Sequence, residues 1–180
     1  PQGPQGYQGS GGTGPQGPQG SAGPQGGYLT AGSYVVRGVK GGSGQSIPNG
    51  TDTVVTFVDD FDPNNWLTSN KLQPTIAGYY NVSTSVLWDP GSINNNQTNI
   101  QFRKNGSTQI AIDQNPIANT TIGYGQIINT VVYFNGSTDY IEVTAYTANP
   151  TSQGINGANA GTYITASLYA YGPQGAQGSQ

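Results

Sequence analysis

Glycine recurs at every third position at Gly3, Gly6 and Gly9, and after a one-residue slip at Gly11, Gly14, Gly17, Gly20, Gly23 and Gly26. The same period returns at Gly172, Gly175 and Gly178. Only glycine fits the crowded axis where three polyproline-II chains wind together. The expected axial positions are Gly3, Gly6, Gly9, Gly14, Gly17, Gly20, Gly23, Gly26, Gly172, Gly175 and Gly178, and the chain is expected to be one strand of a homotrimer. Proline takes the first place after glycine at Pro4, Pro15, Pro18 and Pro24, with glutamine mostly in the second. The slip between Gly9 and Gly11 removes one residue from a triplet and is expected to loosen or bend the helix there.

No charged residue precedes Arg37, so ion pairs cannot align these strands. Register must come from elsewhere, and the adjoining segment is the natural clamp: once three such segments associate, their tails are held at high effective concentration. The chain divides into a collagen-like stalk over 1–27, a β domain over 28–171 and the start of a second collagen-like segment over 172–180.

The middle segment is long enough for one hydrophobic core. Five Lys or Arg against eight Asp or Glu give a net charge of -3, which is no footprint for nucleic acid. The absence of His and Cys removes the commonest general base, the thiol nucleophiles and every disulfide. No uncharged apolar run approaches the ~20 residues that cross a bilayer as a helix. Abundant Thr, Asn, Ser, Gly and Tyr suit an exposed, all-β surface protein.

From Tyr34 onward, short runs rich in Val, Ile, Thr and Tyr are separated by Gly, Asn and Pro clusters, the pattern of a sandwich or jelly roll. Strands are expected over 33–39, 53–58, 78–88, 98–104, 108–113, 123–134, 139–147 and 162–171. Asn105-Gly106 and Asn135-Gly136 fall between such runs, and Asn-Gly tolerates the positive φ of tight hairpin turns. Alternation puts Ile141, Val143 and Ala145 on one face and Tyr140, Glu142, Thr144 and Tyr146 on the other. In the last strand Ile164, Ala166, Leu168 and Ala170 are expected inward, opposite Tyr163, Thr165, Ser167, Tyr169 and Tyr171. The tyrosines Tyr163, Tyr169 and Tyr171 are the candidate trimer interface, since aromatic residues are enriched at such contacts. A merely exposed strand that favours β structure is the alternative.

The segment "FVDDFDPNNWLTSNKLQPTIAGYYNVSTSVLW", residues 57–88, resembles the signature of the C1q/tumour-necrosis-factor jelly-roll family. "FRKNGS" at 102–107, "VVYFNGSTDYIEV" at 131–143 and "TYITASLYAY" at 162–171 resemble later family motifs, in the family's order. The resemblance covers roughly residues 31–171, and a collagen stalk is that family's habitual neighbour. It implies a jelly-roll head trimerised about a threefold axis, with first and last strands antiparallel neighbours and both chain ends at one base. Two departures stand out. The family's Gly-Asp pair is spread into Gly136-Ser137-Thr138-Asp139, and triplets continue past the closing strand. The resemblance leaves open how those triplets pass the head.

Asp59, Asp60 and Asp62, followed by Asn64 and Asn65, form the acidic cluster of the chain. Calcium takes several carboxylate and amide oxygens, and family members hold calcium near the trimer top, so a calcium loop is one reading. An Asx-rich turn capped by its own side chains before Pro63 is the other. Glu142 and Asp139 are formally a carboxylate pair for glycan hydrolysis. A lone solvated carboxylate on the outward face is the ordinary explanation of Glu142, and no catalytic activity is expected. Trp66, Tyr79, Tyr80, Trp88, Tyr124 and Tyr133 are candidate platforms for a surface glycan, set against the usual place of aromatics in a core or interface. Asn49, Asn81, Asn96, Asn105, Asn119 and Asn135 stand in glycosylation sequons. The leading expectation is a structural subunit of an extracellular or virion collagen-like fibre, with further copies along a filament. The alternative is a glycan-binding adhesin tip.

Overall fold

The computed structural model describes residues 34–90, 96–117, 122–148 and 150–171. The glycine triplets, with every expected axial glycine, lie outside them. The described strands are β1 (Val35–Val39), β2 (Gln45–Ile47), β3 (Thr53–Val54), β4 (Val58–Phe61), β5 (Leu67–Thr68), β6 (Lys71–Leu72), β7 (Gly78–Trp88), β8 (Asn96–Lys104), β9 (Thr108–Ile117), β10 (Tyr124–Phe134), β11 (Ile141–Thr147), β12 (Gln153–Ile155) and β13 (Tyr163–Tyr171). The eight expected runs carry strands, but 53–58 breaks into the two-residue β3 and the start of β4. The short β2, β5, β6 and β12 have too few alternating residues to show a period.

Two sheets face each other. The first runs β2-β12-β7-β13-β1-β4, with β10 also paired to β7; the second runs β5-β6-β11-β8-β9, with β3 paired to β11. All these strand pairs are antiparallel. Period-two patterning sets the register: Tyr80, Thr84 and Trp88 of β7 lie opposite Val132, Ile128 and Tyr124 of β10, so both strands turn one face to the core together. The second sheet answers with Ile100, Phe102, Ile141, Val143 and Ala145, all fully buried.

Aromatic rings brace one end of this core. Tyr80 meets Trp66 edge to face at 5.6 Å and Phe134 at 5.3 Å. Such pairs contribute about 0.5–1.5 kcal/mol beyond the area they bury. At the other end a buried amide joins the sheets. Gln126 Oε1 accepts from Trp88 Nε1 at 2.7 Å, and its Nε2 donates to the Asp113 carbonyl at 3.0 Å. Trp88 stacks on Tyr124 at 6.3 Å, and the Tyr124 hydroxyl lies 2.9 Å from Thr98 Oγ1.

Asn105 and Gly106 both take positive φ, 54° and 75°, the primed turn that a right-twisted hairpin requires, and join β8 to β9. Asn135-Gly136 behaves differently. Its flanking strands β10 and β11 lie in different sheets, so the expected hairpin is instead a crossover. Asn135 Oδ1 closes it by accepting from the backbone N–H of Ser137, Thr138 and Asp139 at 2.9–3.0 Å. Gly136, at φ 75°, runs so close to Ala77 that a Cβ would stand 2.6 Å from its nitrogen. The spread Gly-Asp motif therefore makes an Asx-closed loop.

Alternation in β13 also needs correcting at its end. The ladder with β7 slips between Leu168 and Ala170: Leu168 opposes Tyr80, while Ala170 opposes Tyr79. Tyr169 is the extra residue of a β-bulge, and every side chain after it changes face. Ala170 is consequently exposed rather than in the core. Tyr171 turns to meet Tyr34 edge to face at 6.3 Å.

Candidate assembly interface

The outward face of the first sheet is the most unusual surface of the domain. Among the described residues ten large hydrophobic side chains are exposed; Val35, Val58, Phe61, Tyr79, Ile127 and Val131 belong to this face, Tyr169 projects from the bulge of β13, Tyr171 has turned off the face beyond that bulge, and Ile122 precedes β10. Only Ile112 lies on the second. Single exposed apolar residues are ordinary, but their concentration on one sheet makes it the candidate contact surface of the domain.

Register places the patch. On β10, Ile127 (61% exposed) and Val131 (55%) lie opposite Ser85 and Asn81 of β7, and Tyr133 opposes Tyr79. The Tyr79 and Tyr133 rings meet at 5.2 Å. The middle of the sheet carries small hydroxyl residues, Ser83 of β7 beside Thr165 of β13. On the far edge Val58 and Phe61 of β4 oppose Val39 and Arg37 of β1. The face is thus apolar at both margins and carries small side chains at the centre.

The three tyrosines expected at an interface take different positions. Tyr163 lies on this face with the Arg37 guanidinium 5.8 Å from its ring centre. Tyr169 projects from the bulge at 77% exposure. Tyr171 is exposed but belongs to the β1 end of the sheet, beside Tyr34. The residues that sequence reasoning did not single out are Ile127, Val131, Val35, Val58 and Phe61. For β10 a signal was present: "QIINTVVYF" has adjacent apolar pairs, which put one member on each face of a strand.

The acidic cluster does not converge. β4 holds Asp59 and Asp60 at its exposed surface, and Asp60 pairs with Arg37. Asp62 accepts at both oxygens from backbone, Trp66 N–H at 2.9 Å and Leu67 N–H at 2.6 Å, and so caps the turn at Asn65, whose φ is 55°. Among the described residues no three of His, Cys, Asp or Glu gather as metal ligands. Of the proposed aromatic platforms, Trp66, Tyr80 and Trp88 are buried in the core, and Tyr79 and Tyr133 belong to the first-sheet face. Asp139 and Glu142 have separate surroundings, since Lys104 and Asn105 bind Asp139.

The fold, with β1 beside β13 in one sheet and β8 beside β9 and β11 in the other, superposes on solved structures. The Eiger tumour necrosis factor of S. frugiperda superposes with a TM-score of 0.56 at 7% identity, covering 80% of this chain and 97% of that one. Murine APRIL at pH 5.0 gives 0.56 at 12% identity, covering 75% and 98%. The fold is the tumour-necrosis-factor jelly roll. Its likeness to these proteins is one of architecture, since so few residues are shared. No family model and no curated protein matches the sequence. The C1q/tumour-necrosis-factor resemblance read from the motifs at 57–88, 102–107, 131–143 and 162–171 therefore agrees with the fold. As that resemblance implies, β1 and β13 are antiparallel neighbours, and Tyr34 and Tyr171 leave the domain side by side.

Proposed function

We propose that this chain is a structural subunit of an extracellular or virion collagen-like fibre, whose jelly-roll head associates as a homotrimer through the outward face of its first sheet. The concentration on that face of the exposed Val35, Val58, Phe61, Tyr79, Ile127 and Val131 carries the reading. A face of this kind, aromatic at Tyr79, Tyr133 and Tyr163 and poor in charge, has the composition of a buried contact. The glycine triplets supply the second support, because a triple helix needs three chains and uncharged triplets need an external clamp for their register.

In this reading the head brings three β1 starts and three β13 ends to one base. The stalk strands that precede Tyr34 are thereby delivered together and in register. A carbohydrate at the Asn81 sequon, on the same face as Val131, is incompatible with assembly through it. Sedimentation equilibrium of the 180-residue chain tests the reading. A particle of three times the 18.6 kDa chain mass is expected at micromolar concentration, and a stable monomer there overturns it.

A further inference from the structure

Three buried side-chain polar atoms among the described residues have no hydrogen-bond partner: Asn99 Oδ1, Arg103 Nε and Thr144 Oγ1. They are not scattered. In the β8–β11 ladder Tyr146 opposes Asn99, Thr144 opposes Gln101 and Glu142 opposes Arg103. All three atoms therefore belong to one patch on the outward face of the second sheet, behind the core residues Ile100, Phe102, Val143 and Ala145. Buried polar groups are ordinarily paired, and three orphans in one place call for a partner the protein itself does not provide.

A shallow depression of about 310 Å³ lies over part of this patch, with Asp52, Asn99, Gln101, Arg103, Ile112 and Tyr146 among its lining; of the three orphan-bearing residues it takes in Asn99 and Arg103 and not Thr144. Asn99 is 8% exposed and Gln101 3%. The Asp52 carboxylate accepts from Gln101 Nε2 at 2.9 Å and from Arg103 Nη2, which cancels the charge and fixes all three side chains. The remaining lining is neutral amide, phenol and aliphatic.

From this chemistry we infer that the depression binds a neutral polyhydroxylated ring, a sugar of the hexose class. A charged ligand finds no uncompensated charge there. An aliphatic ligand leaves the orphans unpaired, whereas each sugar hydroxyl both donates and accepts and so suits an unpaired acceptor at Asn99 beside an unpaired donor at Arg103. Tyr146 and Ile112 supply apolar surface for the C–H side of the ring, and the volume is of the order found for small-ligand clefts. Gln109, also in the lining, is exposed, so its side chain is free to yield to the ring. The site lies on the sheet opposite the assembly face, so it stands whether or not the trimer reading holds.

The test is a titration of the isotopically labelled 180-residue chain, followed through its backbone amide resonances. The probes are the methyl glycosides of glucose, galactose, mannose and N-acetylglucosamine, with glucuronate and cyclohexanol as charged and hydroxyl-poor controls. At least one glycoside is expected to bind with a Kd on the order of 1 mM, shifting amides of β8, β11 and Asp52. Gln101→Leu, and the exposed Asp52→Asn should the former not fold, should each weaken binding about tenfold, because the site's polar groups lose their alignment. Thr165→Ala on the first sheet should leave it unchanged. The proposal is overturned if no glycoside binds and only a long-lived water is found beside Asn99. It is equally overturned if the controls bind as well as the glycosides, or if the shifts fall on the first sheet.

Discussion

Lys104 Nζ lies 2.8 Å from Asp139 Oδ2, tying the end of β8 to the crossover that delivers β11. The same carboxylate accepts from Asn105 Nδ2 at 3.0 Å and from the Asn135 N–H at 3.1 Å, and Lys104 also donates to the Tyr133 carbonyl at 2.7 Å. Two Asn-Gly turns from different parts of the chain are thus joined at one acid. Burial opposes its ionisation, yet the hydrogen bonds from Lys104 and Asn105, the charge of Lys104 and the Asn135 N–H together hold its carboxyl below the ordinary value. A carboxyl depressed in the folded state contributes stability that is full above the unfolded pKa and is lost as pH falls through the folded one. Asp139→Asn should destabilise the head at pH 7 by about 1–3 kcal/mol, and the gap to the parent should close below about pH 4. Urea unfolding at both pH values reads the difference.

Alkaline pH loads a different group. Burial pushes the Tyr124 hydroxyl up to about 12, with the Thr98 hydrogen bond pulling slightly the other way. Burial raises Tyr80 as well, with Tyr34 and Tyr171 adding to it. A raised tyrosine contributes stability that is complete below the unfolded value near 10 and is lost as pH rises through the folded value. Thermal midpoints should fall steadily between about pH 10 and 12, and Tyr124→Phe should flatten that fall.

Gln126 is 1% exposed and has hydrogen bonds at both ends of its amide. Gln126→Leu keeps the volume but strands the Trp88 indole N–H and the Asp113 carbonyl. The expected cost is about 1–3 kcal/mol for each buried orphan, seen as a lower urea midpoint at unchanged slope.

Val131→Asp on the outward face should leave the monomer folded, because this side chain is over half exposed. In the assembled protein it places an uncompensated charge in an apolar contact. Sedimentation should therefore show monomer with a native circular-dichroism spectrum; a trimer as stable as the parent would move the interface elsewhere.

Gly136→Ala should cost more than about 1 kcal/mol, since its φ of 75° is a left-handed conformation and its Cβ would strike the Ala77 backbone. Gly42, at φ 82° with nothing within 4 Å, gives the comparison in which conformation acts alone. Chemical denaturation of the two variants separates the clash from the strain.

Much of the sandwich was legible because its long strands alternate cleanly. Ile141, Val143 and Ala145 alternate with polar residues over seven positions and are fully buried as expected. Two features escaped for physical reasons. A bulge such as that at Tyr169 reverses the facing of every later side chain in its strand without any residue type that announces it, so Tyr171 could not be placed by counting. The pairing of β10 with β7 instead of β11 is decided by which surfaces complete the core, and an Asn-Gly pair is equally at home in a hairpin and in a crossover. The polar depression lay in plain view as "TNIQFRK", where Asn99, Gln101 and Arg103 alternate with Ile100 and Phe102. Such a strand reads as half solvated, and only the closeness of Asp52, some fifty positions earlier, makes its outer face a pocket.

The side-by-side exit of Tyr34 and Tyr171 has a mechanical consequence. Pulling the two ends apart loads the antiparallel β1–β13 ladder from that end, so its hydrogen bonds open singly, like a zipper, instead of resisting together in shear. In the proposed fibre, tension would have to be borne by the flanking segments themselves, leaving the head to hang beside the line of force.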